Sequence, residues 1–200
     1  FATHLIDQQL RCHGLVSLKG LTYLRRNTEL RKAVKAQVND RLGEGTLEQA
    51  KVGNGDVFLL EAGAFENPLP RLNHRLRILS PFDNSVIQRD RLKALFQYDY
   101  QIECYVPEAK RQYGYFCLPL LYRDEFIGRM DCKAHRKIRQ LEIKSLHLEP
   151  HSHDQDAVIS ALVDAIAHFR QFQNCDSVSL TQAYPKTLTK AVRSALETWE

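Results

Sequence analysis

Lys110 and Arg111 are the residues whose type and surroundings most invite chemistry. Tyr105, Gln112, Tyr113 and Tyr115 lie within a few positions of them. The flanking runs have period 2: Tyr100, Ile102, Cys104 and Val106 alternate with Gln101, Glu103 and Tyr105, and a second apolar run spans 113–121. This spacing predicts a hairpin with the two cations at its tip. Such a basic, aromatic-flanked hairpin can press into a nucleic-acid groove and hold a duplex distorted while a nucleotide is extruded. Charged residues that blunt an ordinary surface turn give the same pattern, and on these residues alone that plainer reading is the simpler one.

A second group is Arg31, Lys32 and Lys35, on the flank of a helix expected from Glu29 to about Leu42, with Thr28 as its cap. Leu30, Val34, Val38 and Leu42 recur every four residues and give it an apolar stripe. The cations would face phosphates or base edges if this helix enters a groove, and Lys51 stands close by on the following hairpin. A solvated charged face is the more common origin of such a pattern.

Other chemistries find less support. His147, His151 and His153 with Asp154 and Asp156 suggest a metal, but no second pair stands at zinc-like spacing, and a loop leading into a helix cap accounts for them. We therefore expect no metal site. There is no G-x-S-x-G, P-loop or G-x-G-x-x-G, and no cysteine has a convincing histidine partner. Cys12, Cys104, Cys117, Cys132 and Cys175 are odd in number, widely spaced and free of C-x-x-C, which argues against a disulfide framework. Cys104, Cys117 and Cys132 sit in apolar runs and read as small buried thiols in a reducing cytoplasm.

The formal net charge of the 200 residues is +4. Residues 71–149 hold 15 Lys/Arg against 10 Asp/Glu, so the surplus is concentrated where Lys110 and Arg111 lie. No run is long enough to span a bilayer as a helix. The chain starts at Phe1 and has one methionine, Met130, as expected for a piece of a longer protein.

The elements that must position these residues follow from the pattern. Leu5, Ile6 and Leu10 give a first helix over 4–13, stopped by Gly14. Ser17 caps a second, Leu18 to Arg25. The basic helix comes next, then strands Leu47–Val52 and Val57–Leu60 joined by Gly53-Asn54-Gly55-Asp56. Helix, helix, basic helix and hairpin are the order of a winged helix-turn-helix. Gly63 to Pro70 reads as a linker. A short helix from Arg89 to Phe96, the meander through Cys132 and a strand over 138–148 suggest a small antiparallel β-barrel or curled sheet. A helix capped by Asp154 or Asp156 runs to about Asn174, followed by a strand at Val178–Leu180 and a helix from Leu188 to Trp199. The expected fold is α+β, with a winged-helix unit at 1–66, a β-barrel-like unit at 67–150 and a C-terminal helical segment at 151–200.

A series of short motifs carries a resemblance. Ser80-Pro81-Phe82-Asp83, Arg89, Tyr98-Asp99-Tyr100, Glu103-Cys104-Tyr105-Val106-Pro107, Lys110 to Tyr115, Leu118-Pro119 and Gly128 to Ala134 together resemble the C-terminal half of the YcaQ family. Those are bacterial winged-helix proteins that act as DNA glycosylases on alkylated and interstrand cross-linked DNA. The resemblance implies tandem winged helices, double-stranded DNA as partner, a monomer, and need of neither metal nor organic cofactor. It adds Arg89 to the candidate DNA contacts, although Ile87-Gln88 stands where relatives have Trp-Asp. Asp83 and Asp131 also match the family pattern, and either one, as a buried carboxylate pairing with Arg77, Arg89 or Arg129, reads as structural rather than catalytic. The family's catalytic Gln–aliphatic–Gln or Gln–aliphatic–Asp triplet is not in this chain, where Gln37-Val38-Asn39 is the nearest, so no catalytic residue is assigned. The alternative is a winged-helix regulator or scaffold without catalysis.

Overall fold

The computed structural model describes residues 1–53 and 55–197; Asn54 of the expected turn and Trp199 of the last expected helix lie outside them. The chain divides into two compact units, Phe1–Pro70 with Asn84–Tyr100, and Arg71–Asp83 with Gln101–Glu200. The contacts thus do not divide at the expected boundaries of 66 and 150.

In the first unit α1 (Ala2–His13) buries Leu5, Ile6 and Leu10 and ends at Gly14, whose φ of 69° suits a residue without a Cβ. The second helix, α2, is shorter than expected (Leu18–Leu21). The Ser17 side chain accepts the Gly20 N–H at its start, but Leu24 takes a φ of 60°, which a helix cannot continue through. The basic helix α3 (Thr28–Gly43) is capped by Asn27 rather than Thr28, with Asn27 Oδ1 accepting the Leu30 N–H at 2.8 Å. Val34 and Val38 are buried, and they meet the α1 residues in one apolar cluster with Leu47 and Leu59. Strands β1 (Leu47–Val52) and β2 (Asp56–Glu61) form the expected antiparallel hairpin, from Leu47 opposite Glu61 to Val52 opposite Asp56. Val16 adds a bridge to Leu59.

The second unit is an open five-stranded sheet, not a closed barrel. Its order is β3 (Leu76–Ile78), β4 (Leu118–Tyr122), β5 (Glu125–His135), β6 (Gln140–Leu148) and β7 (Ser177–Tyr184). The first four are antiparallel neighbours, whereas β7 runs parallel to β6. A parallel neighbour needs a crossover, which α5 (Gln155–Phe172) supplies. Asp154 is its cap, accepting the Ala157 N–H at 2.8 Å. Val158, Leu162 and Ile166 of α5 and Leu188 and Val192 of α6 (Thr187–Glu197) join the sheet's Leu120, Ile127, Ile143 and Leu146 in one core. The strand expected at Val178–Leu180 is present and longer, and the C-terminal segment contributes this edge strand and much of the core.

The expected hairpin over 100–121 is not formed. Residues 101–117 hold no strand, only a 3-10 turn at Glu108–Lys110, and the sheet is entered at Leu118. The reason is chemical. Side-chain carboxylates, not a neighbouring strand, take the backbone N–H groups of residues 112–116, and local turns take those of Val106, Lys110 and Arg111.

Candidate nucleic-acid interface

Of the residues singled out, Arg31, Lys32, Lys35, Lys51 and Arg89 fall in the first unit, and Lys110 and Arg111 in the second. Arg31 and Lys35 are four apart on α3, so both project from the same exposed side. Arg31 Nε donates to the Arg25 carbonyl at 3.1 Å, and Lys32 pairs with Glu29 at 3.0 Å. Both Lys32 and Glu29 are largely solvated, so the pair constrains the lysine little. Lys51 is exposed on β1, opposite Val57 in the register.

Arg89 has a different setting. It opens α4 (Arg89–Phe96), half-buried, with its guanidinium 4.6 Å from the centre of the Tyr100 ring and Nη1 donating to the Val86 carbonyl. Burial, partly offset by Tyr100 and Tyr23, lowers its pKa from the ordinary arginine value. Its neighbour Arg91 donates to two carbonyls of the α1–α2 turn, Nε to Leu15 at 2.7 Å and Nη2 to His13 at 2.6 Å. Buried Gln88, in the position where the resemblance leads one to expect an aspartate, donates to Gln9 Oε1 at 3.0 Å and to the Gly20 carbonyl at 3.3 Å. A Cβ on Gly20 would press on that amide. All three side chains thus help fix α4 within this unit.

Lys110 and Arg111 lie at the end of the 3-10 turn. Lys110 is exposed. Arg111 is held: Nε donates to the Val106 carbonyl at 2.9 Å, and the guanidinium lies 4.9 Å from the Tyr115 ring centre. Beneath them Glu103 is only 8% exposed. Its Oε1 accepts the Gln112 N–H at 2.8 Å, and its Oε2 accepts those of Tyr113 at 2.8 Å and Gly114 at 3.1 Å. Burial works to raise its pKa, but the three backbone donors and the charge of Arg129 outweigh it and hold the carboxyl below the ordinary value. Buried Asp131 continues the row, accepting the Tyr115 N–H at 2.8 Å and the Phe116 N–H at 3.3 Å. Gly114, at φ 150°, passes so close to Asp131 that a Cβ there would collide with its side chain.

Asp131 is a structural carboxylate, as expected, although its partners are backbone amides rather than an arginine. Arg129, 2% exposed, pairs instead with Glu149 and places its guanidinium 4.0 Å from the Tyr113 ring centre. Tyr113 meets His147 edge-on at 5.1 Å, and His147 lies parallel to Tyr184 at 4.5 Å. Burial, and then Arg129, lower the His147 pKa against a smaller opposing effect of Glu103. Cys117 is buried and Cys104 and Cys132 are half-buried, and none of the three is in a disulfide. Burial first, with Asp131 nearby, pushes the Cys117 and Cys132 thiols up to about 12, which leaves them unreactive as nucleophiles.

The three histidines of the expected group have separate contacts: His147 joins the column above, and His151 has a tilted ring contact with His153 at 5.9 Å. His153 Nε2 is 2.9 Å from Glu125 Oε2, and its ring meets Tyr122 edge-on at 5.0 Å. Among the described residues no group of three His, Cys, Asp or Glu side chains could hold a metal ion, and no helix is long and apolar enough to cross a membrane.

Sequence reasoning placed Glu103 on the polar face of a strand and missed its role. The signal was there: a lone carboxylate in an apolar run, followed at 112–114 by three consecutive residues whose amides need acceptors. The Arg129–Tyr113–His147–Tyr184 column had no sequence signal, because its members come from separate segments.

Two comparisons bear on this geometry. A protein-family profile described as DNA glycosylase AlkZ-like matches residues 1–172. Among solved structures, the Streptomyces sahachiroi DNA glycosylase AlkZ superposes with a TM-score of 0.53 at 14% identity, over 90% of this chain and 45% of that one. The likeness supports the mixed α+β fold, and this chain spans less than half the length of that relative.

Proposed function

The chain belongs to the AlkZ-like DNA glycosylase family, and on that premise we propose that it is the DNA-binding, C-terminal part of a bacterial glycosylase that excises alkylated or cross-linked bases. The family match over residues 1–172 is the observation that carries this reading. Supporting it, α1–α3 and the β1–β2 hairpin follow the order of a winged helix, with α3 as the element that enters the major groove and the hairpin as the wing. Arg31, Lys32, Lys35 and Lys51 then meet phosphates or base edges, while Lys110 and Arg111 grip the duplex from the second unit. Arg89 acts from behind, holding α4 in place. The partner is double-stranded DNA, the location cytoplasmic, and the chain acts as a monomer with neither metal nor organic cofactor.

Breaking an N-glycosidic bond needs a positioned water and stabilisation of a cationic sugar. No Gln–aliphatic–Gln or Gln–aliphatic–Asp triplet is present to do this, so in this reading the chain supplies grip and the bond-breaking groups lie elsewhere. The same observation favours the second reading, a winged-helix regulator or scaffold that never excises a base.

Fluorescence anisotropy with a labelled duplex at two salt concentrations tests the proposal. Affinity should fall with salt with a log–log slope of about −0.9 per phosphate neutralised, and a Lys110→Glu/Arg111→Glu double variant should bind more weakly. Negligible binding with a flat salt response would sink the DNA reading and leave the scaffold.

A further inference from the structure

Beside the 101–117 segment lies a cleft of about 510 Å³, and we propose that it takes one unpaired nucleotide of DNA with its base stacked on Tyr184. The proposal rests on the DNA-binding reading above and assigns this cleft a ligand within it.

The volume lies within the range of small-ligand sites. What sets its chemistry is the column of flat groups behind it. Arg129 lies under Tyr113, Tyr113 meets His147 edge-on, and His147 lies against Tyr184 with only 13° between their planes. Tyr184, the last ring, is 37% exposed, whereas Arg129 at the other end is 2% exposed. The stack is thus anchored in the core and ends in a ring at the surface. The Tyr113 end is further fixed by Ser145, whose Oγ donates to the Tyr113 carbonyl at 2.6 Å, and by the Glu103 carboxylate on the Tyr113 amide. A ring already immobilised loses little entropy when a base stacks on it, and stacking is open to every base because each has a π-face.

The cleft's polar groups suit a base more than a polyanion. Arg111 and Lys144 are offset in formal charge by Glu108 and Asp131, so the interior has no strong field for an acidic peptide. The exposed amides of Gln112 and Gln182 can pair with base edges. Gln182 Oε1 accepts the Tyr184 hydroxyl at 3.3 Å, which leaves its amide N–H groups to donate. Arg111, at the end of the turn that also exposes Lys110, is placed for the phosphate on which such a base hangs.

The test compares two labelled duplexes of equal length, one fully paired and one with a single bulged 2-aminopurine. The chain should bind the bulged duplex about tenfold more tightly, as expected of one added base stack, and quench the 2-aminopurine emission. Tyr184→Ala should abolish both effects and leave paired-duplex affinity unchanged; Tyr184→Phe, which keeps the ring, should retain them. Equal affinity for the two duplexes, or a preference that survives in Tyr184→Ala, overturns the proposal. Salt-dependent binding of the paired duplex together with equal affinity overturns the cleft alone. Absence of salt-dependent binding to either duplex overturns the DNA reading along with it.

Discussion

The two units hold parts of their irregular backbone with side chains of opposite kind. In the first, the side chains drawn inside are donors: Arg91 and Gln88 donate to the carbonyls of Leu15, His13 and Gly20. In the second, alongside the buried donors Arg129 and Ser145, the holders of residues 112 to 116 are acceptors: Glu103 and Asp131 take five consecutive amides. The consequence concerns charge. Part of the first unit's basic complement is engaged in holding its own backbone, so its composition overstates the cations open to a partner. Two of the second unit's acids are withdrawn from its surface, so its composition understates them. A residue tally along the chain is blind to this difference.

The comparison can be broken, or sharpened, by substitutions that remove each device in turn. The largest effect is expected at Gly128, where a Cβ would collide with the carbonyl oxygen of His147 on the neighbouring strand. Gly128→Ala must push β5 and β6 apart, and urea denaturation should show a loss of about 3 kcal/mol. A loss confined to a few tenths would mean that the ladder yields easily.

Next comes Glu103→Gln, which weakens the acceptor of three buried amides and should cost about 2 kcal/mol. It also carries a pH signature. The folded carboxyl lies below its ordinary value of 4.5, so its contribution is complete above that pH and is lost as pH falls through the folded value. Stability of the unaltered chain should therefore decline more steeply below about pH 4.5 than that of Glu103→Gln. Parallel curves would show that the carboxylate is not the holder of this loop.

Arg91→Met tests the donor side. It removes two carbonyl partners while keeping much of the stem, and about 1.5 kcal/mol should go, with melting of the first unit as the readout. The smallest stability effects belong to the exposed cations. Arg31→Ala, Lys32→Ala and Lys35→Ala should each shift stability by less than about 0.5 kcal/mol. Each that meets a phosphate should nonetheless reduce the salt slope of duplex binding by about 0.9. Variants that leave the slope unchanged would assign α3 to scaffolding.

Local periodicity made much of the first unit legible. The four-residue apolar spacing of α3 and the Gly-Asn-Gly between two extended runs are short-range signals, and Asn27 replaced Thr28 as cap by a single position. The α5 stripe and its Asp154 cap were equally local. The second unit was less legible because its organisation is not periodic. The alternation from Tyr100 to Val106 suggested a strand, yet Tyr98 and Tyr100 are buried with the first unit and Glu103 with the second. Once a carboxylate satisfies a run of amides, no strand partner is needed, and that bond leaves no pattern in neighbouring residues. The choice of β6 as the parallel partner of β7 pairs residues 37 apart in sequence, Gln140 with Ser177 through His147 with Tyr184, in an open sheet where a barrel was expected. For the candidate site, the exposed cations could be named from residue type alone. The aromatic column could not, because Tyr113, Arg129, His147 and Tyr184 meet only after the sheet has formed.

The row of amides on Glu103 and Asp131 also bears on how this protein would look in an exchange experiment. Residues 112–116 sit outside every strand and helix, where rapid replacement of amide hydrogen by deuterium is the usual behaviour. Here five successive N–H groups are capped by carboxylates that are themselves largely buried. This stretch should retain its hydrogen about as long as the sheet beside it, and a single proton delivered to Glu103 would release three of the five sites at once.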